Sequence, residues 1–170
     1  CGESVGLLDW KPGNSEAGHQ VIGAGRTVIQ DDSRIDLAIQ TGSFFENPVF
    51  LEMLSTVKRR NRSLHLLAML SERSSHGSVA YPLALLRMAK DKGLKSVFFH
   101  AIFDGRSTKV RSAAGFINRI AAEMATVGVG AIASGMGRGF ALDRDGDYRK
   151  TRRAYDALVY GMGRKVPADK

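Results

Sequence analysis

Two patterns of apolar positions alternate along the chain from residue 63 onward. Short apolar runs at 63–70, 96–103 and 130–134 are bounded by polar residues, as is typical of buried strands. Longer segments at 79–92, 111–127 and 148–161 carry apolar residues at helical spacing. This β-α-β-α-β-α order predicts a single α/β domain, in which helices flank a mixed or mostly parallel sheet.

Helix signals also precede the first strand. An acidic start at Asp31-Asp32-Ser33 and a stop at Gly42 predict one helix, and Asn47-Pro48 predicts the start of another. Residues 1–30 are rich in glycine and are expected to be irregular. We therefore divide the chain into a leading segment at 1–30, a body at 31–163 and a frayed tail at 164–170.

Composition and charge narrow the functional classes. Apolar residues make up 44% of the 170 residues, which is ordinary for a globular domain. The single cysteine excludes a disulfide scaffold, and no apolar run is long enough to span a membrane. The net charge of +8 invites a nucleic-acid partner, but the densest basic clusters, at 58–62 and 149–153, lie in predicted amphipathic helices. We expect solvated helix faces, no nucleic acid, no membrane and a cytoplasmic location.

Polar loops follow all three predicted strands, at 71–78, 104–109 and 135–145. Ligands of parallel α/β sheets gather at the carboxyl ends of the strands. Arg106, Arg138, Arg144 and His76 are therefore expected to converge there as an anion site. A tight turn at 104–108 and a salt-bridged loop, with Asp143 and Asp145 beside Arg144, are the structural alternatives.

Residues 13–19 combine a hydroxyl, a carboxylate and an imidazole with small neighbours. Such a loop exposes Ser15, which becomes a nucleophile only with an adjacent base or a metal. His19 is the local candidate base, and a helix N-cap is the alternative reading of the segment. His65 and His100 lie in apolar strands and are interpreted as core histidines with satisfied hydrogen bonds.

Several motifs resemble, in order and spacing, those of the cofactor-independent phosphoglycerate mutases of the alkaline phosphatase superfamily. The likeness covers essentially the whole chain, at 14–19, 22–26, 42–48, 70–76, 100–108, 137–145 and 154–161. The resemblance implies a two-domain enzyme with two divalent metals, usually manganese, in one domain. This chain corresponds to the inserted phosphotransferase domain, and residues 1–30 lead in from the metal-binding domain.

The resemblance also implies roles for individual residues. Ser15 would accept the phosphoryl group and ligate a metal, while 3-phosphoglycerate is converted to 2-phosphoglycerate. His76, Arg106, Arg138 and Arg144 would grip the substrate. Ser107, also at a substrate-binding position, stands where the family usually has Asp, and residues 72–75 depart from its pattern too. These departures leave the substrate and the activity open.

Two functions follow as hypotheses. The first is the phosphotransferase domain of a phosphoglycerate mutase. No stretch supplies the Asp and His set of a two-metal site, so we expect this chain to carry no metal and to be inactive by itself. The chain also begins without Met, at Cys1, which we interpret as a trimmed chain or an excised domain. The second hypothesis is a non-catalytic module that binds a small phosphorylated acid with the same arginines.

Overall fold

A three-stranded parallel sheet forms the centre of the structure, a computed structural model that describes residues 2–9, 11, 13–72 and 77–166. The strands are β1 (Leu64–Leu70), β2 (Val97–Phe103) and β3 (Ala131–Gly137), in the order β1-β2-β3. The helices are α1 (Ser15–Ala24), α2 (Asp31–Thr41), α3 (Pro48–Arg59), α4 (Ala80–Asp91), α5 (Ala113–Val127), α6 (Arg138–Ala141) and α7 (Tyr148–Tyr160). The predicted α/β class is confirmed, and the described sheet is parallel throughout.

The predicted helix boundaries rest on local chemistry. The Asn47 side chain accepts hydrogen bonds from the main-chain N–H groups of Val49 and Phe50, and Pro48 takes the first helical position. Gly42 ends α2 with a φ of 87°, a left-handed conformation that glycine adopts without strain. These caps satisfy backbone groups that the ends of a helix would otherwise leave unpaired.

One face of β1 and β2 carries the core. Leu66 and Phe99 are register partners, and both are buried on this face. Because strand side chains alternate between faces, His65 and Leu67 point the opposite way and are exposed. The core is completed by apolar side chains of α3, α4 and α5, among them Leu54, Leu83, Leu86, Ile120 and Met124.

The expectation that residues 1–30 are irregular is wrong. A 3₁₀ helix spans Gly2–Val5, and α1 spans Ser15–Ala24. The Asn14 side chain accepts a hydrogen bond of 2.8 Å from the Ala17 N–H, so it supplies the cap that starts α1. Gly25 then ends the helix in a left-handed conformation, with a φ of 62°. Good caps at both ends offset the low helix propensity of the glycines inside α1.

The predicted loop at 135–145 is also partly wrong. β3 continues to Gly137, and α6 follows directly at Arg138. A Cβ atom at Gly135 would lie 2.9 Å from the Phe103 ring. Gly135 therefore packs closely against β2, although a glycine gives no apolar signal for a strand in the sequence. None of the described helices has the length and hydropathy needed to cross a bilayer.

Candidate functional site

An ion pair joins the carboxyl ends of β2 and β3. Asp104 follows β2 directly, Arg138 follows β3 directly, and Arg138 Nη1 lies 2.5 Å from Asp104 Oδ1. The Asp104 side chain is fully buried, and that of Arg138 is 20% exposed. The structure therefore places Arg138 at the predicted sheet edge, already paired with a carboxylate.

The loop after β2 is a closed turn that holds Asp104 in place. The Ser107 N–H donates to Asp104 Oδ2 at 3.0 Å, and the Gly105 N–H donates to Thr108 Oγ1 at 3.1 Å. Gly105 has a φ of 62°. The tight-turn alternative for this segment is thus confirmed, and Ser107 supports the buried acid.

The charge of Asp104 is set by opposing effects. Burial alone would raise the pKa of its carboxyl group, but the hydrogen bonds from Arg138 and from the Ser107 N–H stabilise the carboxylate. The net effect is a pKa below the usual 3.8. Asp104 is therefore ionised at neutral pH and balances the charge of Arg138.

Two cavities meet at this edge of the sheet, and Arg138 lines both. The smaller, about 350 Å³, has an apolar floor that includes Leu70, Phe103 and Phe116. Lys109 and Arg111 also line it, and the sequence had not singled out either of them. The larger groove, about 910 Å³, runs along β1 and includes Arg144.

Not every predicted arginine joins the site. Arg144 is exposed in the larger groove, whereas Arg106 is exposed and lines neither cavity. The salt-bridged-loop alternative is confirmed only in part, since the described residues place no carboxylate within ion-pair distance of Arg144. Asp143 instead accepts a 2.9 Å hydrogen bond from Lys150, which holds the pKa of the Asp143 carboxyl below its usual value. The predicted ligand His76 lies outside the described residues.

Ser15 is exposed as predicted, but it lies on a helix and not in a loop. The N-cap alternative is confirmed for this segment, with Asn14 as the cap. Ser15 lines neither cavity, and α1 packs against the 3₁₀ helix Gly2–Val5. The structure therefore does not bring Ser15 to the arginines.

The geometry around His19 does not suit it to act as a base. His19 Nδ1 lies 2.6 Å from the Ser15 carbonyl oxygen and 3.2 Å from Ser15 Oγ. A carbonyl oxygen only accepts hydrogen bonds, so Nδ1 must carry the hydrogen. A protonated nitrogen cannot take the proton of the Ser15 hydroxyl. The described residues also contain no group of three or more His, Cys, Asp or Glu side chains placed to hold a metal ion.

The two strand histidines differ. His100 is buried and hydrogen-bonded on both ring nitrogens, so its interpretation as a satisfied core histidine is confirmed. Burial, and then the neighbouring His65, hold the pKa of His100 below its usual 6.5. His65 is exposed, because it lies near the start of β1 on the face opposite the core. Its interpretation as a core residue is wrong.

A known protein family matches most of this chain. The model described as BPG-independent PGAM N-terminus (iPGM_N) matches residues 35–170. The chain belongs to this family. Asp104, Arg138 and Arg144 all lie within the matched residues, whereas Ser15 lies before them.

Similar full-length proteins carry the same family name. The chain is 43% identical, over 99% of its length, to 2,3-bisphosphoglycerate-independent phosphoglycerate mutase 2 of Methanosarcina acetivorans. It is 41% identical, over 99% of its length, to 2,3-bisphosphoglycerate-independent phosphoglycerate mutase of Acetivibrio thermocellus. It covers 32% and 33% of those proteins, so it spans about a third of the length of these curated relatives.

A solved structure shares the fold of this iPGM_N chain. The crystal structure of Leishmania mexicana phosphoglycerate mutase at low cobalt concentration superposes with a TM-score of 0.87 and 34% identity. The match covers 96% of this chain and 31% of that one. The suspected relationship to cofactor-independent phosphoglycerate mutases is thereby confirmed.

Proposed function

We propose that this chain is the phosphoglycerate-binding part of a cofactor-independent phosphoglycerate mutase. The whole enzyme would interconvert 3-phosphoglycerate and 2-phosphoglycerate, with Ser15 as the phosphoryl acceptor. The observation that carries the proposal is Arg138, which lies at the carboxyl edge of the sheet and lines both cavities. Relatives over 40% identical along nearly the whole chain bear the mutase name.

The chemistry of this edge suits a phosphorylated acid. An arginine offers five N–H donors, so Arg138 keeps donors for a ligand after pairing with Asp104. Arg144 adds a guanidinium that has no carboxylate partner among the described residues. Phosphoryl transfer depends mostly on positioning and charge stabilisation, and this chain would position the glycerate and its phosphate.

The proposed reaction also needs metal ions, which this part of the enzyme would not bind alone. Two divalent ions, with manganese expected, would be held by a metal-binding domain of the same polypeptide, with Ser15 as one ligand. The described residues of this chain do not fit such a site by themselves. We place the reaction in the cytoplasm and expect neither a nucleic acid nor a membrane to take part.

Calorimetric titration with 3-phosphoglycerate tests the proposed binding. We expect saturable binding by the unaltered chain and a roughly tenfold weaker affinity for Arg144→Ala, from loss of one charge-assisted contact. Arg144 is exposed, so its removal should not disturb folding. Arg62→Ala, which removes an exposed arginine outside both cavities, is the matched control. Equal affinities for all three proteins would contradict the site.

A turnover assay addresses catalysis separately. The 170-residue polypeptide with added manganese should convert no 3-phosphoglycerate to 2-phosphoglycerate, because its described residues lack a metal-binding group. Measurable turnover would show that this part of the proposal is wrong. It would leave the binding site itself intact.

The second candidate is a non-catalytic module that binds the same class of ligand. Ser107 favours it, because the serine stands where the resemblance expects an acid that holds the glycerate hydroxyls, and its N–H is used by Asp104. Comparing 3-phosphoglycerate with the phosphate ester of 3-hydroxypropionate, which has the same chain length and lacks only the free hydroxyl, tests this alternative. A module that recognises only the charges of the carboxylate and the phosphate should bind both compounds equally. A mutase site, which also contacts the hydroxyl, should prefer 3-phosphoglycerate. Ser107→Asp should then increase that preference.

A further inference from the structure

Three polar side chains form a hydrogen-bonded row across the middle of the sheet. His65 Nδ1 on β1 lies 2.9 Å from His100 Nε2 on β2, and His100 Nδ1 lies 2.7 Å from Ser134 Oγ on β3. His100 is only 8% exposed. A buried polar side chain is costly unless it is fully hydrogen-bonded, and this row satisfies both nitrogens of the buried ring.

The row coincides with an irregularity in strand pairing. Phe99 pairs with Ile132, but His100 pairs with Ser134, so Ala133 is skipped. Such a β-bulge re-aims the side chains that follow it. The new register continues to the pair Phe103–Gly137. One further step places Asp104 beside Arg138, where their ion pair forms.

We propose that His100 and Ser134 are positioning residues, whose hydrogen bond fixes the register that brings Asp104 opposite Arg138. Without the bulge, His100 would pair with Ala133 and Asp104 would face Gly137. A shift of one residue also turns side chains to the other face of a strand. The importance of this register for ligand binding rests on the proposed role of Arg138. The effect of His100 and Ser134 on the register itself does not depend on that role.

His65 has a supporting role in the same row. Its ring lies edge to edge with that of His100, with centroids 5.2 Å apart and planes 19° apart, as the hydrogen bond between their nitrogens requires. Each contact in the row needs one hydrogen, and two neutral imidazoles of the same tautomer satisfy both. A serine bonded to a histidine also resembles a nucleophile with its base. Ser134 lines neither cavity, however, so the contact is assigned to positioning and not to covalent chemistry.

Nuclear magnetic resonance tests the claim directly on the 170-residue chain. The first measurement is the register itself, from cross-strand contacts between Ala101 and Gly135. We expect Ser134→Ala to weaken these contacts. In the shifted register Ala101 would pair with position 134, so new contacts should appear between the Ala101 methyl group and the methyl group introduced there. Contacts between the register partners Leu66 and Phe99 should persist and show that the rest of the sheet is folded.

The second measurement is the pKa of the Asp104 carboxyl group, followed through the chemical shift of its carbon as the pH is changed. In the unaltered chain its pKa lies below 3.8, because of Arg138 and Ser107. In Ser134→Ala the pKa should rise, since burial of the carboxyl group is then no longer opposed by Arg138. Ser134→Thr keeps the hydroxyl and should restore both the register and the low pKa. A purely structural role would lower stability without moving this pKa in the folded chain.

Two controls and one further variant complete the test. Ser112→Ala removes a serine whose side chain makes no capping bond, and His19→Gln removes a histidine with only local contacts. Neither should alter the register. If Ser134→Ala and His100→Gln both keep the Ala101–Gly135 contacts and the low Asp104 pKa, the positioning claim is wrong. A failure of 3-phosphoglycerate to bind the unaltered chain would instead overturn the proposed function and leave these signals unchanged.

Discussion

The two sides of the sheet are stabilised by different means. The unit formed by β1, α4 and β2 buries apolar side chains in every element, including Leu66, Leu86 and Phe99. The unit formed by β3, α6 and α7 lies within residues 131–160, all of which the structure describes, and none of its residues is buried. The first unit, β1, α4 and β2, belongs to the hydrophobic core. We call the second unit, β3, α6 and α7, the rim.

Polar contacts attach the rim. Arg138 pairs with Asp104, Lys150 pairs with Asp143, and the Arg153 guanidinium lies 4.5 Å from the centre of the Phe140 ring. The comparison indicates that the stability of this chain and the geometry of its candidate site reside in different elements. Substitutions should therefore separate them.

The largest effect is expected from Phe99→Ala, in the core. Phe99 is 2% exposed, and truncating a buried phenylalanine costs roughly 3–5 kcal/mol of unfolding free energy. Phe140→Ala is the matched change in the rim, where the ring is 37% exposed and should cost about 1 kcal/mol. Urea denaturation of both variants measures the difference. Equal losses would remove the distinction between core and rim.

A smaller effect is expected at the junction of the two units. Asp104→Asn keeps the shape of the side chain but leaves Arg138 without its counter-charge, at a cost of about 2 kcal/mol. Hydrogen exchange should accelerate in β3 more than in β1, because the rim loses its attachment. Asp145→Asn, an exposed acid next to the same site, serves as the control and should leave both measurements unchanged.

Acid should weaken the junction in two steps. The pKa of His100 is lowered in the folded chain, so the unfolded chain binds more protons below the ordinary value of 6.5, and stability falls as the pH drops through it. The slope is at most about 1.4 kcal/mol per pH unit for one proton. Asp104, whose pKa is also lowered, contributes stability above 3.8 that is lost as the pH falls further.

Urea midpoints measured from pH 8 to pH 3 show both steps. His100→Gln should flatten the curve just below pH 6.5, and Asp104→Asn should flatten it below pH 3.8. If His100→Gln retains the full slope of the unaltered chain, the first step does not arise from this histidine.

The smallest effect is expected at the outer surface of the rim. Tyr148 is 82% exposed at the start of α7. Tyr148→Ala should change the unfolding free energy by less than about 0.5 kcal/mol, since exposed substitutions rarely do more. Thermal denaturation checks this expectation. A loss comparable to that of Asp104→Asn would show that the rim packs through its aromatic residues.

Periodicity was enough to predict most of the fold. The apolar runs of β1 and β2 and the helical spacing of α4 and α5 have one reading each, and the structure confirms them. The start of α1 was predicted only as an alternative and its extent was not predicted, because Gly18 and Gly23 argue against a helix. β3 was predicted too short, because Gly135 and Gly137 pair through the backbone alone.

The candidate site was harder to predict. Parallel strands bring their carboxyl ends together, so Arg138 was expected at the edge and lies there. The ion pair with Asp104 depends on a skipped residue in the register, which no local pattern signals. Arg106 was expected in the same place, but the turn closed by Gly105 and Ser107 leaves it outside both cavities. Short-range sequence identifies the residue types, whereas the pairing depends on strands far apart along the chain.

The central place of β2 has a consequence for how the polypeptide assembles. Both of its edges are paired, the first with residues 64–70 and the second with residues 131–137. The first pairing closes a stretch of chain that already contains α4 and much of the apolar interior. During synthesis this stretch can fold before β3 has been made, and β3 then docks on a preformed edge. Assembly in this order lets the pairing of Asp104 with Arg138 form only after β1, α4 and β2 have come together.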